Sequence, residues 1–456
     1  MLIYILLIFL LILLYIVYRS MGKDLISPAF LFTAPFCVAV LCAALYADKW
    51  SLSLSLNTFL VVFIGCLSYI LTCILIHYSY GKNKLKRARK VKNESVPIAS
   101  KAWKIIVVIL IQVISLLVVI RSMRSSLSRY GISGNLNVIM YYYRSYSMFS
   151  DYNVGISNLA INLRVFSIAV SYMWAYIIAN NIAGKFKVRN FLLMLVSYIL
   201  GIFNSVILGA RGEAIQLIIA FVVFYMVFQR KYNNWKVNIK FKHIVLMLAI
   251  VAGILITFKA SGDILGRNAV VANTTTAMDE VAKYLGAEIK NLDLFINEYK
   301  KSRQIWGSQT FGVLLNWLDT KYSLGWNIQS MLSFRRVNGI SMGNVYTTFG
   351  PFVYDFGYFG GAVVMPVICA CIVQLLYEKI LSGKWKTFNY IIILNSYILF
   401  LETFSFFGER LFSSILNLSF YRYLISWWIA IMFIGGFKIG DKKIVFKKNY
   451  AGGKSR

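Results

Sequence analysis

The hydrophobic positions of this chain form long runs, which polar segments interrupt at intervals. An α-helix needs about 20 consecutive apolar residues to cross a bilayer. Eleven such runs can be delimited, at 2–18, 29–47, 58–77, 105–120, 158–180, 191–209, 214–228, 244–258, 352–377, 388–407 and 420–437. They predict an all-α, polytopic integral membrane protein with about 11 transmembrane helices. We expect residues 1–456 to form a single membrane domain.

Two of the polar segments between the runs are long, at 121–157 and 259–351. In the second segment, apolar residues recur at helical spacing from Met278 to Tyr299. This spacing predicts an amphipathic helix that lies on the membrane surface or covers a cavity. A shorter helix is predicted near 308–318. A loop of this length is usually functional.

The composition supports the membrane assignment and gives it an orientation. Hydrophobic residues make up 59% of the 456 positions and charged residues only 14%, which excludes a soluble globule and a disordered chain. The net charge of +31 agrees with basic cytoplasmic loops. With the N-terminus outside and the C-terminus cytoplasmic, the cytoplasmic segments hold 29 of the 48 basic residues. The charge therefore requires no nucleic acid partner.

The two kinds of basic residue are distributed unequally. The predicted cytoplasmic segments hold six Arg and 23 Lys, whereas the other basic positions comprise 12 Arg and seven Lys. A guanidinium group binds phosphate or carboxylate through two parallel hydrogen bonds. The arginine excess therefore indicates anion recognition on the outer face, with chance and structural ion pairs as the alternative.

The cysteines and histidines exclude several kinds of chemistry. All six cysteines lie in apolar runs, so we expect neither a disulfide framework nor a metal site. His77 and His243, the two histidines, fall on the predicted cytoplasmic side, which leaves no histidine base outside. The sequence shows no Walker loop and no dinucleotide-binding glycine motif. We therefore expect no cofactor and no obligatory metal.

Charged residues at the predicted outer boundary are the candidate functional groups. The turn Gly209-Ala-Arg-Gly-Glu213 holds Arg211 and Glu213 between two spans. Asp355 lies in apolar surroundings at the start of the ninth span, where an ionisable residue is functional by default. Next to it, Gly357 and Gly361 have the G-x-x-x-G spacing of a helix-packing face.

Further charges lie at or near the same boundary. Glu402, Glu409 and Arg410 surround the loop between the tenth and eleventh spans. Arg164 and Arg422 lie near the outer ends of the fifth and eleventh spans. The two arginines either bind substrate or extend their charged ends to the membrane surface.

The eleven-span layout, the long late external loop, the G-A-R-G-E turn and the stretch from Asn344-Val-Tyr346-Thr to Asp355-Phe-Gly357 resemble the Wzy-type O-antigen and capsule repeat-unit polymerases. Tyr284-Leu-Gly286, followed by Asn291-Leu-Asp293, is also similar to the external loop of that family. The resemblance implies a glycosyltransferase that joins polyisoprenyl-diphosphate-linked oligosaccharide units on the outer face of a bacterial plasma membrane. It also implies that a chain-length regulator protein is a partner.

The same resemblance implies roles for particular residues. Arg211 would stabilise the leaving diphosphate, and Glu213 or Asp355 would be the base. The substrate would be bound by residues of both external loops and of the outer span ends, namely Arg121, Arg124, Arg164, Arg335, Arg336, Tyr346, Glu409 and Arg410.

Two other functions use the same groups. A flippase or exporter of the lipid-linked sugar would bind it through the same arginines without chemistry, but we detect no related halves in the sequence. A lipid-linked polysaccharide ligase is disfavoured because related ligases use an external histidine.

Overall fold

The structure is a computed structural model, and it describes residues 1–90, 96–149, 152, 154–236, 277–298, 305–328, 332–381, 388–435, 437–440 and 443–446. Helices dominate these ranges. In chain order the helices are α1 Leu2–Ser20, α2 Pro28–Leu45, α3 Leu56–Ile76, α4 Lys82–Lys90, α5 Ala102–Ser128, α6 Leu136–Phe149, α7 Asn158–Ala183, α8 Phe191–Val206, α9 Gly212–Tyr232, α10 Ala277–Glu298, α11 Gly312–Tyr322, α12 Phe349–Phe359, α13 Met365–Ile380, α14 Tyr390–Thr403, α15 Leu411–Ile415 and α16 Leu418–Gly435. One π-helical turn, His77–Gly81, joins α3 to α4, and another, Gly360–Val364, joins α12 to α13.

Strands are few and short among the described residues. β1 (Arg335–Val337) and β2 (Ile340–Gly343) form one antiparallel hairpin, and β3 (Phe437–Gly440) and β4 (Lys443–Phe446) form another. The first hairpin lies within the predicted external loop 259–351. The sequence analysis did not predict either hairpin.

Eight described helices or helix pairs are long and apolar enough to cross a membrane, and α8 and α14 are shorter apolar helices. All ten overlap runs that the hydrophobic pattern predicts. The predicted run at 244–258 lies outside the described residues. The described residues are thus mostly helical, with the character of a multi-pass membrane protein. A hydrogen-bonded helix satisfies its own backbone in lipid.

The chain separates into two compact units, which we describe one at a time. Unit 1 comprises Met1–Lys90, Thr275–Ser382 and Tyr397–Phe420. Unit 2 comprises Val91–Thr274, Gly383–Ser396 and Tyr421–Arg456.

In unit 1, α10 packs closely against α2. A Cβ atom on Gly286 would lie 2.8 Å from the backbone nitrogen of Ala43, so only glycine permits this approach. Residues 286–293 are buried on all sides. Several polar groups among them have partners in neighbouring segments, whereas both carboxylate oxygens of Glu288 have none. Lys290 Nζ donates to the Ser51 carbonyl at 2.8 Å, and Ser55 donates through its backbone N–H and its hydroxyl to Asp293 Oδ1. The predicted helix exists, but protein covers its central part on its polar side as well as its apolar side.

The ninth predicted span is interrupted in the structure. Gly357 has φ +70° and ψ −177° within α12, which is not helical. The prediction that Gly357 and Gly361 share one continuous helical face is therefore wrong. Instead, a Cβ atom on Gly361 would lie 2.7 Å from the backbone nitrogen of Val353, so the chain packs tightly on itself at the kink.

In unit 2, α5, α7 and α8 pack around a buried polar network. Gln112 Nε2 donates to the carbonyls of Ser167 at 3.2 Å and Ser197 at 3.0 Å, and the Ser197 hydroxyl donates to Gln112 Oε1 at 2.6 Å. Ser115 Oγ donates to Asn204 Oδ1 at 2.7 Å. Hydrogen bonds between neighbouring helices are a common means of joining helices in a membrane, where apolar contacts between helices bring little gain over lipid.

Helix α5 extends beyond the predicted span. It continues to Ser128, so the first eight positions of the predicted loop 121–157 are helical. Met123 and Leu127 on this extension pack with Ile139 and Tyr143 of α6 in one buried cluster. The extension forms because these apolar side chains gain a partner in α6.

Candidate functional site

The structure distributes the predicted site residues over the two units. Unit 2 contains Arg121, Arg124, Arg164, Arg211 and Glu213, and unit 1 contains Arg335, Arg336, Tyr346, Asp355, Glu409 and Arg410. We therefore describe each local group of residues separately.

One group of hydrogen-bonded charged and polar residues surrounds Arg164 in unit 2. Arg164 is 7% exposed on α7, and it donates Nε to the Asn204 carbonyl at 2.9 Å and Nη2 to the Ser205 carbonyl at 3.1 Å. Nη2 also forms an ion pair with Glu213 Oε2. The Tyr423 hydroxyl donates to the other carboxylate oxygen, Oε1, at 3.0 Å. Arg164 is thus held inside the protein and does not extend to the membrane surface.

The G-A-R-G-E turn brings Arg211 and Glu213 to this group. Gly209 has φ +76°, and a Cβ atom there would lie 3.1 Å from both the Met140 carbonyl oxygen and the Arg144 Cβ. A side chain at 209 would be strained and crowded, so glycine lets the turn pass directly beneath α6. Arg211 is the N-cap residue of α9, with its Nε buried. Glu213 lies in the first turn of α9, where the helix dipole favours a negative charge.

We call Arg144, Arg164, Arg211, Glu213 and Tyr423 the arginine cluster. Arg211 and Glu213 lie at the start of α9, Arg164 and Tyr423 lie in the second turns of α7 and α16, and Arg144 lies on α6. Burial raises the pKa of the neighbouring Tyr143, and the positive charge of Arg164 opposes that rise. Three of these five residues are arginines, and guanidinium groups suit an anionic ligand.

Arg121 and Arg124 differ from Arg164 in their exposure. Both are exposed on the helical extension of α5. The opposite face of that extension, with Met123 and Leu127, is buried against α6. The sequence predicts a loop at these two positions, whereas the structure places both on a helix.

In unit 1, Asp355 is hydrogen-bonded to the segment 308–310. It accepts hydrogen bonds from the backbone N–H of Gln309 at 3.1 Å and of Thr310 at 2.6 Å, and from the Ser308 hydroxyl at 3.4 Å. These donors occupy both carboxylate oxygens. The arrangement favours a positioning role, because the carboxylate holds the backbone of residues 309 and 310 beside α12.

Arg335 and Tyr346 form a second group in unit 1. Arg335 Nη1 lies 2.6 Å from Glu298 Oε2, and its Nε donates to the Tyr346 hydroxyl at 3.1 Å. The Tyr346 hydroxyl donates in turn to the Ser333 carbonyl at 2.6 Å. Arg335 thus joins the β1–β2 hairpin to α10, whereas Arg336 is exposed.

Glu409 and Arg410 precede the short helix α15. Glu409 accepts hydrogen bonds from the backbone N–H of Phe412 at 2.6 Å and of Ser413 at 3.0 Å, so it caps this helix. Burial raises the pKa of Glu409 to about 7, although these hydrogen bonds favour the charged form. The guanidinium of Arg410 lies 5.5 Å from the centre of the Phe407 ring.

Tyr423 is a member of the cluster that the sequence predictions do not include, although they include its neighbour Arg422. Tyr423, Trp427, Ala430 and Ile434 recur at helical spacing and are all buried, so this face of α16 points into the protein. That spacing was readable in the sequence and would have favoured Tyr423. Arg144 lay within a predicted loop, and nothing in the sequence indicated its contact with Gly209.

The described residues contain no group of three or more His, Cys, Asp or Glu side chains that could hold a metal ion. No family model, curated protein or solved structure matches this chain. The function therefore has to be argued from the geometry of the site.

Proposed function

We propose that this protein polymerises polyisoprenyl-diphosphate-linked oligosaccharide units on the outer face of a bacterial plasma membrane. The observation that carries the proposal is the arginine cluster, which brings three arginines together near the ends of several helices. A lipid-linked diphosphate sugar has an apolar tail that belongs in the bilayer and a diphosphate at the depth of the headgroups. A cationic site at helix ends suits that combination.

The proposal includes an orientation for the chain. We propose eleven spans, with the N-terminus outside and the C-terminus in the cytoplasm. Ten described apolar helices support the layout, and the distribution of Lys and Arg supports the orientation. In this orientation the arginine cluster faces outward.

The proposed reaction is a displacement at the anomeric carbon of the growing chain. A hydroxyl group of a new lipid-linked unit attacks that carbon, and a carbon–oxygen bond forms. The bond from the anomeric carbon to the phosphate oxygen breaks, and the diphosphate leaves with the bonding electron pair. The proton of the attacking hydroxyl passes to a carboxylate of the protein.

The contacts of each residue suggest its role in this reaction. Arg164 has three acceptors inside the protein, so it holds Glu213 in place and adds positive charge. Arg211, with Arg144 beside the turn, is the proposed partner of the diphosphate. Glu213, with a side chain 31% exposed, is the proposed base, because a ligand can reach it, whereas both oxygens of Asp355 are hydrogen-bonded to residues 308–310.

The decisive experiment supplies purified protein with lipid-linked repeat units and no nucleotide. We expect a ladder of polysaccharide lengths on a gel. Transport of the lipid-linked unit across vesicles without any ladder would instead favour the flippase, and transfer to an acceptor in a single step would favour the ligase.

Substitution of Arg211 tests the role of the cluster. Arg211→Lys keeps the charge but loses the planar pair of donors, and we expect polymerisation to fall roughly 10²–10³-fold. Arg129→Lys, at an exposed position just after α5, is the matched control and should keep the wild-type rate. Normal polymerisation by Arg211→Lys and Arg211→Ala, at equal protein levels, would remove Arg211 from the mechanism.

A further inference from the structure

One end of unit 1 brings four helix termini together. The Tyr377 hydroxyl on α13 donates to Asp24, in the turn between α1 and α2. His77, directly after α3, lies with Nδ1 2.8 Å from Glu378 Oε1 on α13. These contacts place the C-terminal ends of α1, α3 and α13 beside the N-terminal end of α2. Helix α4 continues from the same end.

The charges at this end are segregated by sign. The carboxylates of Asp24 and Glu378 are 6% and 0% exposed and form hydrogen bonds inside the unit. Asp24 accepts from the backbone N–H of Ile26 at 2.9 Å, and Glu378 accepts from Gln374 Nε2 at 2.6 Å. The exposed charged side chains described at this end are all cations, namely Arg19, Lys23, Lys82, Lys86 and Lys379.

Two tyrosines occupy the junction between the apolar helix and the cationic one. Tyr78 and Tyr80 are 48% and 43% exposed, within the π-helical turn that follows α3. Lys82 Nζ lies 4.6 Å from the centre of the Tyr78 ring, and Lys84 Nζ lies 3.6 Å from the centre of the Tyr80 ring. Tyrosine is enriched at the depth where the hydrocarbon of a membrane meets the headgroups.

The start of α4 is fixed relative to this junction. A Cβ atom on Gly81 would collide with the carboxylate of Glu378, so the last residue of the turn packs directly on α13. The hydrogen bond between His77 and Glu378 holds the first residue of the same turn. Because both ends of the turn are attached to α13, Lys82 and Lys84 emerge in a defined position next to the tyrosines.

We propose that this cationic end of unit 1 binds the phosphate groups of anionic phospholipids in the adjoining leaflet. The exposed tyrosines mark the depth of the headgroups, and the exposed charges there have the sign that complements a lipid phosphate. Each basic residue near an anionic membrane surface increases the affinity roughly fivefold. In the proposed orientation the leaflet is the cytoplasmic one, but the inference requires neither that orientation nor the polymerase function.

Lipid binding is tested with the full-length protein in neutral detergent, by titration with phosphatidylglycerol and native mass spectrometry. The variant carries Lys82→Gln and Lys84→Gln, which remove two charges without changing the tyrosines. We expect its affinity for phosphatidylglycerol to fall roughly 25-fold. The matched control carries Lys283→Gln and Lys321→Gln, since Lys321 also lies over an aromatic ring, that of Trp317 at 4.6 Å. The control should bind as the wild type does.

Hydrogen exchange locates the bound lipid. In nanodiscs of phosphatidylcholine with phosphatidylglycerol, we expect the amides of residues 78–86 to exchange several-fold more slowly than in phosphatidylcholine alone. High salt should remove this protection, because it screens exposed charges. Equal exchange in the two kinds of nanodisc would overturn the proposal. Equal loss of lipid affinity in the variant and the control would overturn it as well.

Discussion

The two units differ in the kinds of buried polar group that they contain. In unit 2, Gln112, Ser197 and Asn204 are neutral and hydrogen-bonded across α5, α7 and α8. In unit 1, the buried groups include carboxyl groups with unused oxygen atoms. Among the described residues, both oxygens of Glu288, Oε2 of Glu378 and Oε1 of Glu402 are buried without a hydrogen-bond partner.

The first kind of group joins helices through hydrogen bonds. The second kind destabilises the folded protein when its carboxyl group is charged. A neutral, fully bonded network adds stability with each bond it forms. A buried carboxyl group without partners lowers stability when it ionises. Substitutions in the two units should therefore change stability in opposite directions, and the following predictions test this in order of expected size.

The largest loss of stability is expected from substitution of Arg164 in the arginine cluster of unit 2. Arg164→Ala removes the cation from Glu213 and the donors from the Asn204 and Ser205 carbonyls. Removing one partner of a buried ion pair costs about 3–5 kcal/mol, and the partial exposure of Glu213 favours the lower end of this range. Unfolding in detergent measures the change. Arg121→Ala, on the exposed face of α5, is the control, and an equal loss in both variants would contradict the assignment.

The next effect concerns the neutral network. Gln112→Leu removes the bonds that Gln112 makes to α7 and α8 through its side chain. At about 0.6 kcal/mol for each interhelical hydrogen bond in a membrane protein, we expect a loss of about 2 kcal/mol in the free energy of unfolding. Ser125→Ala, at an exposed position on the same helix, should change it little. Wild-type stability in Gln112→Leu would show that the network does not join these helices.

Glu288→Gln should increase stability, whereas the two substitutions in unit 2 should decrease it. Burial raises the pKa of Glu288 well above its ordinary value of 4.5, so the folded protein binds a proton that the unfolded chain releases at neutral pH. Stability of the wild type therefore falls as the pH rises above about 4.5. Glutamine carries no such cost, and we expect Glu288→Gln to melt at a higher temperature at pH 8 but not near pH 4.

The control for this prediction is Glu298→Gln on the same helix. Glu298 has a side chain 57% exposed, so its substitution should give no gain in melting temperature that grows with pH. A lower melting temperature for Glu288→Gln across the whole pH range would show that the carboxylate is stabilised in the folded protein.

The smallest effect is expected at Glu409. Because its pKa rises to about 7 in the folded protein from 4.5, the folded state binds more protons than the unfolded state between these values. Stability should therefore fall as the pH rises from about 4.5 to about 7. Glu409→Gln keeps an acceptor for the Phe412 N–H. In this variant the melting temperature should depend less on pH between about 4.5 and about 7. The same dependence of melting temperature on pH in the wild type and in Glu409→Gln would contradict the raised pKa of Glu409.

The sequence predicted the apolar helices far better than the groups between them. Each of the ten described apolar helices overlaps a predicted run, because length and hydrophobicity are local properties. The amphipathic pattern from Met278 to Tyr299 also predicted α10 closely. The burial of its polar face was not predictable, since the partners of Lys290 and Asp293 lie more than 200 positions away.

The candidate site was predictable only in part. The G-A-R-G-E turn was recognisable from its glycines and charges, and the structure does place Glu213 beside Arg164. Asp355 was selected as an isolated ionisable residue in an apolar run, but its partners at 308–310 lie in another segment. The roles of these residues in catalysis stay predictions, as does the single membrane domain.

The sequence by itself determined that the chain is a set of apolar helices. The reason is that a backbone surrounded by lipid must satisfy its own hydrogen bonds, and a helix does so within one continuous segment. Only the tertiary structure decided which charges are paired. Tyr423 and Arg164 meet Glu213 from positions 210 and 49 residues away, and such contacts depend on how separate helices pack, which no local pattern records.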